Sequence, residues 1–153
     1  LKILLECGRW MEMALPVGDG SHFIIVAAFY GISGASAVGS SDCDNNERLI
    51  AAACARAAQY TVTPYFLMGD FNIAVTSSSL LERSIRLGFI YDLASEWAKD
   101  RSRIQCTYKR GGVHRDMQGT GVTRIDHIFA NNCGHRWSPT SVTIGTRRSA
   151  TAM

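Results

Sequence analysis

The sequence of 153 residues lacks any apolar run long enough to cross a membrane. Its longest unbroken apolar stretch, Phe23 to Tyr30, has eight residues, whereas a membrane-spanning helix needs about 20. No small-residue cleavage site follows the apolar residues at the start, so no signal peptide is predicted. We therefore expect an intracellular protein, in the nucleus or cytoplasm, that has no membrane partner.

Closely spaced cysteine pairs are also missing. The five cysteines are odd in number, and no two have the spacing of a zinc knuckle or a redox motif. We interpret them as reduced thiols, which suits the cytosol or nucleus. Internal repeats and a domain linker are absent, and the first residue is Leu rather than Met. We expect one partial domain over residues 1–153, with an irregular tail at about 145–153.

Acidic residues are scarce in the final third of the sequence. From Arg101 to Arg148 there are nine Lys or Arg residues and two acids, whereas the first hundred residues hold seven bases and eleven acids. A basic segment of this kind is typical of an edge that binds a polyanion. A solvated surface would explain the charge equally well.

The apolar residues fall into short periodic segments. Residues 10–15 and 22–30 are predicted strands, and the turn formers at 16–20 predict a hairpin between them. A helix is predicted at 47–59, with an Asp or Asn cap in the segment 42–46. Further predicted elements are a buried strand at 65–68, a helix at 80–87 closed by Gly88, and a strand at 123–130. Because hairpins accompany the alternating strands and helices, we expect a mixed or mainly antiparallel sheet with helices outside.

The segment Gly69-Asp70-Phe71-Asn72 ends the buried strand. In extended geometry, residues two apart point the same way, so Asp70 and Asn72 would face a cleft together while Phe71 returns to the core. A carboxylate beside a carboxamide can orient a water molecule and hydrogen-bond a phosphate oxygen. The same residue types suit an ordinary turn, so the segment alone leaves both interpretations open.

Two other strands carry polar groups among apolar residues. Arg124 and Asp126 form the polar face of one strand, and a buried carboxylate needs a partner. That partner could belong to an active site, or the pair could be a structural ion pair. Tyr30 ends another apolar strand, where its phenol could enter a cleft or stay buried with a satisfied hydroxyl.

In this order, these segments resemble the endonuclease/exonuclease/phosphatase superfamily. That group includes DNase I, exonuclease III-type abasic-site endonucleases and the endonuclease domains of non-LTR retrotransposons. The resemblance covers about residues 9–143, and its most specific parts are Gly-Asp-Phe-Asn at 69–72 and Arg-Ile-Asp at 124–126. It implies a DNase I-like α/β fold, a four-layered sandwich of two packed mixed or antiparallel sheets with outer helices, here partial.

The resemblance also implies catalytic roles for four residues in metal-dependent phosphodiester hydrolysis. Asp70 would position or deprotonate the attacking water, and Asn72 would hold that water and a non-bridging phosphate oxygen. Tyr30 would contact the scissile phosphate. Asp126 would support metal binding or orient a histidine, and Mg²⁺ or Mn²⁺ would neutralise charge on the phosphoryl group.

Nucleic acid is the expected partner, with DNA favoured over RNA. The expected substrate-binding residues are Arg124, Lys109 and Arg110. A fused reverse transcriptase is the further partner expected if the full-length protein comes from a retroelement.

Three features of the family pattern are absent. The sequence begins too late to include the metal-binding Glu of an earlier strand, it has no closing Ser-Asp-His triplet, and Ala28 replaces a common Asn. We therefore expect a fragment that is inactive and poorly soluble alone. The alternative is a non-catalytic nucleic-acid-binding or structural remnant of a decayed retroelement.

Overall fold

A computed structural model describes residues 2–35, 39–97, 108–109 and 122–137. The helices in these ranges are α1 (Lys2–Glu6), α2 (Ser41–Ala58), α3 (Ser79–Arg86), α4 (Leu93–Trp97) and α5 (Asn132–Trp137). The strands are β1 (Trp10–Val17), β2 (His22–Tyr30), β3 (Tyr65–Asp70), β4 (Tyr91–Asp92), β5 (Tyr108–Lys109), β6 (Val122–Thr123) and β7 (Asp126–Ala130). A 3₁₀ turn, Val75–Ser77, precedes α3.

Five of the strands form one mixed sheet in the order β1-β2-β3-β7-β4. Strands β1 and β2 form the predicted antiparallel hairpin. Strand β3 is parallel to β2, and β7 is antiparallel to both β3 and β4. Strands β5 and β6 form a separate antiparallel pair. The predicted mixed α/β architecture is therefore confirmed.

Helix α2 covers one face of the sheet, because the parallel connection from β2 to β3 needs a crossover. Its apolar residues recur at intervals of three and four, so they form one buried stripe. Ile50 and Ala53 on this stripe are fully buried, as is Ala27 of β2. The cluster that they join includes Ile25, Phe29, Leu49, Cys54, Ala57, Tyr65, Leu67, Phe71, Ile73 and Phe129.

The opposite face of the sheet is apolar but open to solvent. Met11, Met13 and Leu15 of β1 are 57%, 43% and 38% exposed. They pair with Ala28, Val26 and Ile24 of β2, so their side chains lie together on that face. The described residues thus contain one main sheet with its helices, and a second sheet packed on this face is not among them.

Helix α2 begins six residues earlier than the sequence analysis predicted. The segment 42–46 is inside the helix, and Ser40 is the cap, since its Oγ accepts a hydrogen bond of 3.1 Å from Cys43 N. Serine is as good a cap as aspartate or asparagine. Asp42 and Asp44 lie in the first turn, where negative charge interacts favourably with the helix dipole.

The strand predicted at 123–130 is two strands. Val122–Thr123 pairs with β5, whereas Asp126–Ala130 joins the main sheet. Ile125 O still accepts a hydrogen bond of 2.8 Å from Phe71 N, so the chain leaves the sheet between these strands at Arg124. The tail expected at 145–153 lies outside the described residues. Of the helices that the structure describes, none is both long and apolar enough to cross a membrane.

Candidate active site

Three of the four expected catalytic residues lie in one row across the sheet. Tyr30 of β2 is the register partner of Asp70 in β3, and Asp70 is the register partner of Asp126 in β7. Residues paired across neighbouring strands point to the same face. The row lies where β2 and β3 end and β7 begins, so three distant segments of the chain present these side chains side by side.

The backbone around Asp70 is shaped by a glycine that no other residue could replace without strain. Gly69 has a φ of 144°, and a Cβ atom there would lie 1.9 Å from Phe29 O. The close approach of β3 to β2 therefore leaves no room for a side chain at position 69.

Asn72 joins the row through a turn, not through extended geometry, so the predicted alternation was wrong at this point. Asn72 has a φ of 52°, in the left-handed region, and its backbone N donates a 2.8 Å hydrogen bond to Asp70 Oδ1. Phe71 between them is fully buried, as expected. A non-glycine residue in the left-handed region is uncommon and tends to occur at functional sites.

The turn is attached to the end of β2 by two hydrogen bonds. Gly31 N donates to Asp70 O at 2.7 Å, and Asn72 Nδ2 donates to Gly31 O at 3.2 Å. A Cβ atom on Gly31 would lie 2.3 Å from Phe71 O, so this contact also requires glycine. The carboxamide of Asn72 is therefore held beside the residue that follows Tyr30.

The carboxyl group of Asp70 has a raised pKa. Burial raises the pKa of this carboxyl, the hydrogen bond from Asn72 lowers it, and the charge of Asp126 raises it further. A carboxylate with a raised pKa is a stronger base than an exposed one. The row thus contains a basic carboxylate next to a second one.

Tyr30 is 50% exposed, so the alternative of a buried tyrosine is wrong. Arg9 lies beside it, with the guanidinium carbon 5.3 Å from the centre of the phenol ring. The Tyr30 side chain is thus available at the surface next to a cation.

The oxygen ligands of this row suit a hard divalent cation that takes few of its ligands from the protein. Within the described ranges, no group of three or more His, Cys, Asp or Glu residues could hold a metal ion. Asp70 and Asp126 supply two carboxylates, and Mg²⁺ usually takes one or two from a protein, with water and substrate phosphate completing the shell.

Arg124 lies in a buried ion pair with Asp92. Its two terminal nitrogens donate to the two carboxylate oxygens of Asp92, one of them at 3.0 Å, and Ser95 Oγ donates to the same carboxylate at 2.7 Å. Burial raises the pKa of Asp92, but the hydrogen bonds from Arg124 and Ser95 lower it more. The Arg124 side chain is only 14% exposed, so Arg124 takes part in a structural ion pair, but its partner is Asp92 and not Asp126 as considered above.

The other two expected substrate-binding residues, Lys109 and Arg110, stay predictions. Lys109 is described only as a residue of β5, and Arg110 lies outside the described residues. The geometry of the row neither supports nor contradicts their predicted role.

His127 follows Asp126 but belongs to the core, because side chains alternate along a strand. It is 3% exposed, and its Nε2 lies 3.1 Å from Ile73 O. Burial and the charge of Arg124 lower its pKa. It therefore faces away from the carboxylate row and is not the histidine that Asp126 was expected to orient.

Asn46 is the positioning residue that the sequence analysis missed. It is fully buried in α2, its Oδ1 accepts from Ile32 N at 2.9 Å, and its Nδ2 donates to Phe71 O at 2.9 Å. One side chain thus joins the segment after Tyr30 to the segment after Asp70. The signal was its position three residues before Leu49, on the apolar stripe of the helix.

Comparisons with known proteins identify the fold. No protein-family model and no curated protein matches the sequence. Similar solved structures include an endonuclease/exonuclease/phosphatase family protein from Leptotrichia buccalis C-1013-b, with a TM-score of 0.50, 18% identity, and coverage of 80% of this chain and 42% of that one. A family protein from Bacteroides thetaiotaomicron gives a TM-score of 0.48, 17% identity, and coverage of 80% and 40%. This chain spans less than half the length of either protein. Over that span it has the fold of the endonuclease/exonuclease/phosphatase family.

Proposed function

We propose that the row of Tyr30, Asp70 and Asp126 is the active site of a metal-dependent phosphodiesterase that cleaves nucleic acid. The observation that carries the proposal is the pairing of two carboxylates across β3 and β7, with Tyr30 as the next residue in the same row. The fold shared with the Leptotrichia protein supports a hydrolase of this general kind. The chain covers 42% of that protein, so the activity of a whole protein of this kind is part of the proposal.

The residues of the row would divide the hydrolysis among them. Asp70 takes a proton from a water molecule as the water oxygen forms a bond to phosphorus, and the P–O ester bond breaks. The leaving oxygen takes a proton from solvent. Asp70 suits this task because its carboxylate lies at the end of a buried strand and is held in place by the hydrogen bond from Asn72 N.

The remaining groups would bind and orient the phosphate. The half-exposed hydroxyl of Tyr30 donates to a non-bridging oxygen, and the second N–H of the Asn72 carboxamide is a donor for the water or for another oxygen. Asp70 and Asp126 would hold Mg²⁺ or Mn²⁺, which supplies charge neutralisation at the phosphoryl group.

Nucleic acid is the substrate class that the charge distribution favours. The basic segment from Arg101 to Arg148 is the kind of sequence that lies along a phosphate backbone. A small phosphoester would need no such segment. We keep DNA ahead of RNA as the expected substrate.

A second candidate function is nucleic-acid binding without catalysis. The hydrogen bonds of Asp70 to Asn72 N and of Asn72 Nδ2 to Gly31 O give both side chains a structural use. A protein that had lost cleavage could keep both residues for the turn alone. The two candidates differ in whether the charge of Asp70 matters.

The deciding experiment is the Asp70→Asn substitution in the longest natural protein that contains this sequence. Asparagine keeps an acceptor oxygen for Asn72 N but cannot act as a base, so we expect turnover of supercoiled plasmid with Mg²⁺ to fall by about 10²–10⁴. Asp19→Asn is the matched control, because Asp19 Oδ1 accepts from Ser21 N at 2.9 Å in the exposed β1–β2 turn. Chelator-sensitive cleavage that Asp70→Asn leaves unchanged would contradict catalysis by this residue.

A further inference from the structure

Arg9 is connected to the end of β2 by both its backbone and its side chain. Its carbonyl oxygen accepts a hydrogen bond of 3.0 Å from Tyr30 N. Its guanidinium lies over the Tyr30 ring, 5.3 Å from the centroid, and Nη1 donates to Gly31 O at 2.8 Å. The position of this cation relative to the phenol is therefore defined by three separate contacts.

The carbonyl oxygen of Gly31 links Arg9 to the turn from Asp70 to Asn72. Gly31 O accepts from Arg9 Nη1 and from Asn72 Nδ2, so both nitrogens lie within hydrogen-bonding distance of one atom. Arg9 thus lies at the edge of the row, on the side of Tyr30 that is remote from Asp126.

Arg9 differs in its partners from Arg56 and Arg124, the other two half-buried arginines of the described residues. Arg56 donates to Glu12, and Arg124 donates to Asp92. Among the residues that the structure describes, Arg9 has no carboxylate partner, and Gly31 O is its hydrogen-bond acceptor. A guanidinium has five N–H donors, so donors remain for an anion.

Space for a ligand lies next to this guanidinium. A shallow depression of about 230 Å³ is lined by residues 8–11 and 28–30, including Arg9 and Tyr30. Guanidinium groups bind phosphate well, because their planar donors match two phosphate oxygens.

We infer that Arg9 is a substrate-binding residue of this site, whose guanidinium binds a phosphate oxygen of the nucleic-acid backbone next to the phosphate that Tyr30 contacts. The inference rests on the proposed function, and it assigns to Arg9 the contact that the sequence analysis gave to Arg124. The ion pair with Asp92 uses the Arg124 donors that such a contact would need.

The test is fluorescence anisotropy of a short labelled DNA duplex with the full chain, in chelator, over a series of salt concentrations. Arg9→Gln should weaken binding by about 10- to 100-fold, the range for hydrogen bonds to a charged group. It should also reduce the slope of log affinity against log salt by about 1, since one phosphate contact is lost. Arg9→Lys should keep the slope and recover part of the affinity, because it keeps the charge.

Arg48→Gln is the matched control, because Arg48 is exposed on α2, the helix that covers the face of the sheet opposite to the row. A folded Arg9→Gln protein whose affinity and salt slope equal those of the wild type would overturn the inference and leave the proposed function standing. A merely structural Arg9 would lower stability in Arg9→Lys as well, without restoring binding, and that result would also overturn it. Wild-type protein that does not bind the duplex at low salt would overturn both proposals.

Discussion

The carboxyl group of Asp70 can close the turn and still bind a water molecule or a cation. Its Oδ1 accepts the hydrogen bond from Asn72 N that closes the turn. A carboxylate has about four lone-pair positions on two oxygens, so this bond leaves acceptor capacity for a cation or a water molecule. The turn interpretation and the cleft interpretation of the sequence are therefore compatible, which the tetrapeptide alone did not reveal.

The raised pKa of Asp70 predicts that Asp70→Asn stabilises the fold near neutral pH. The folded-state pKa lies above the unfolded value of 3.8, so the folded state binds this proton more tightly, and ionisation opposes folding as the pH rises through the folded pKa. Asparagine is neutral at every pH. The stability gain should be present at about pH 7 and absent near pH 3.8, where the aspartic acid of the unfolded state is half protonated.

Urea unfolding of the two proteins across this pH range measures the effect. Asp19→Asn should behave oppositely, because hydrogen bonds from Ser21 lower the pKa of Asp19. The account of Asp70 fails if Asp70→Asn is less stable than wild type at pH 7 and equally stable in acid.

At the scale of secondary-structure elements, α2 connects the two halves of the site. It provides the crossover that makes β2 and β3 parallel, and its buried Asn46 bonds to the chain after each strand. The apolar stripe predicted most of this helix. Its start was missed because several capping residues stand in succession from Ser40 onward, and sequence alone does not show which one caps.

Asn46→Leu should destabilise the protein by about 1–3 kcal/mol for each backbone group left unpaired, Ile32 N and Phe71 O. Leucine has the same number of side-chain heavy atoms but is larger, so the loss contains an overpacking contribution beside that of the hydrogen bonds. The measurement is the free energy of unfolding in urea. Asn45→Leu is the control, since Asn45 is the exposed neighbour in the same helix and should change stability by less than about 0.5 kcal/mol.

A stability loss in Asn46→Leu no larger than in Asn45→Leu would show that these buried bonds are weak. A loss in the expected range would support the view that α2 positions Gly31 and Phe71 relative to each other.

Strand β7 illustrates what sequence reasoning could and could not determine. The sequence predicted a strand with Asp126 on its polar face, and the structure has His127 and Phe129 of that strand in the core. The break at Arg124 was not predicted, and at this position Arg124 pairs with Asp92, 32 residues away. Long-range partners of this kind leave no local pattern in the sequence.

At the scale of the whole molecule, the two faces of the sheet differ in their cover. Helix α2 buries one face, whereas Met11, Met13 and Ile128 remain 57%, 43% and 39% exposed on the other. Large exposed apolar patches usually mark a surface that packs against something else. The expectation that the isolated chain is poorly soluble stays a prediction, and this face is the physical reason for it.

The carboxylate row is a property of the topology and not of any one segment. Strand patterns placed Tyr30 and Asp70 at strand ends and Asp126 within a strand, but only the observed register aligns them. Register depends on how strands pair across long stretches of chain, which periodicity alone does not specify. The sequence therefore indicated these residues one by one, while their alignment, the turn at Asn72 and the role of Asn46 needed the fold.

The central claim is that this row binds a divalent cation, and Mn²⁺ titration of the isotope-labelled chain tests it most directly. We expect weak binding, because two carboxylates supply few protein ligands, with paramagnetic broadening first at the amide signals of Tyr30, Asp70, Asn72 and Asp126. Asp70→Asn should abolish this early broadening, and Asp19→Asn should preserve it. Broadening that begins elsewhere in the chain, or that persists at the row in Asp70→Asn, would contradict the claim.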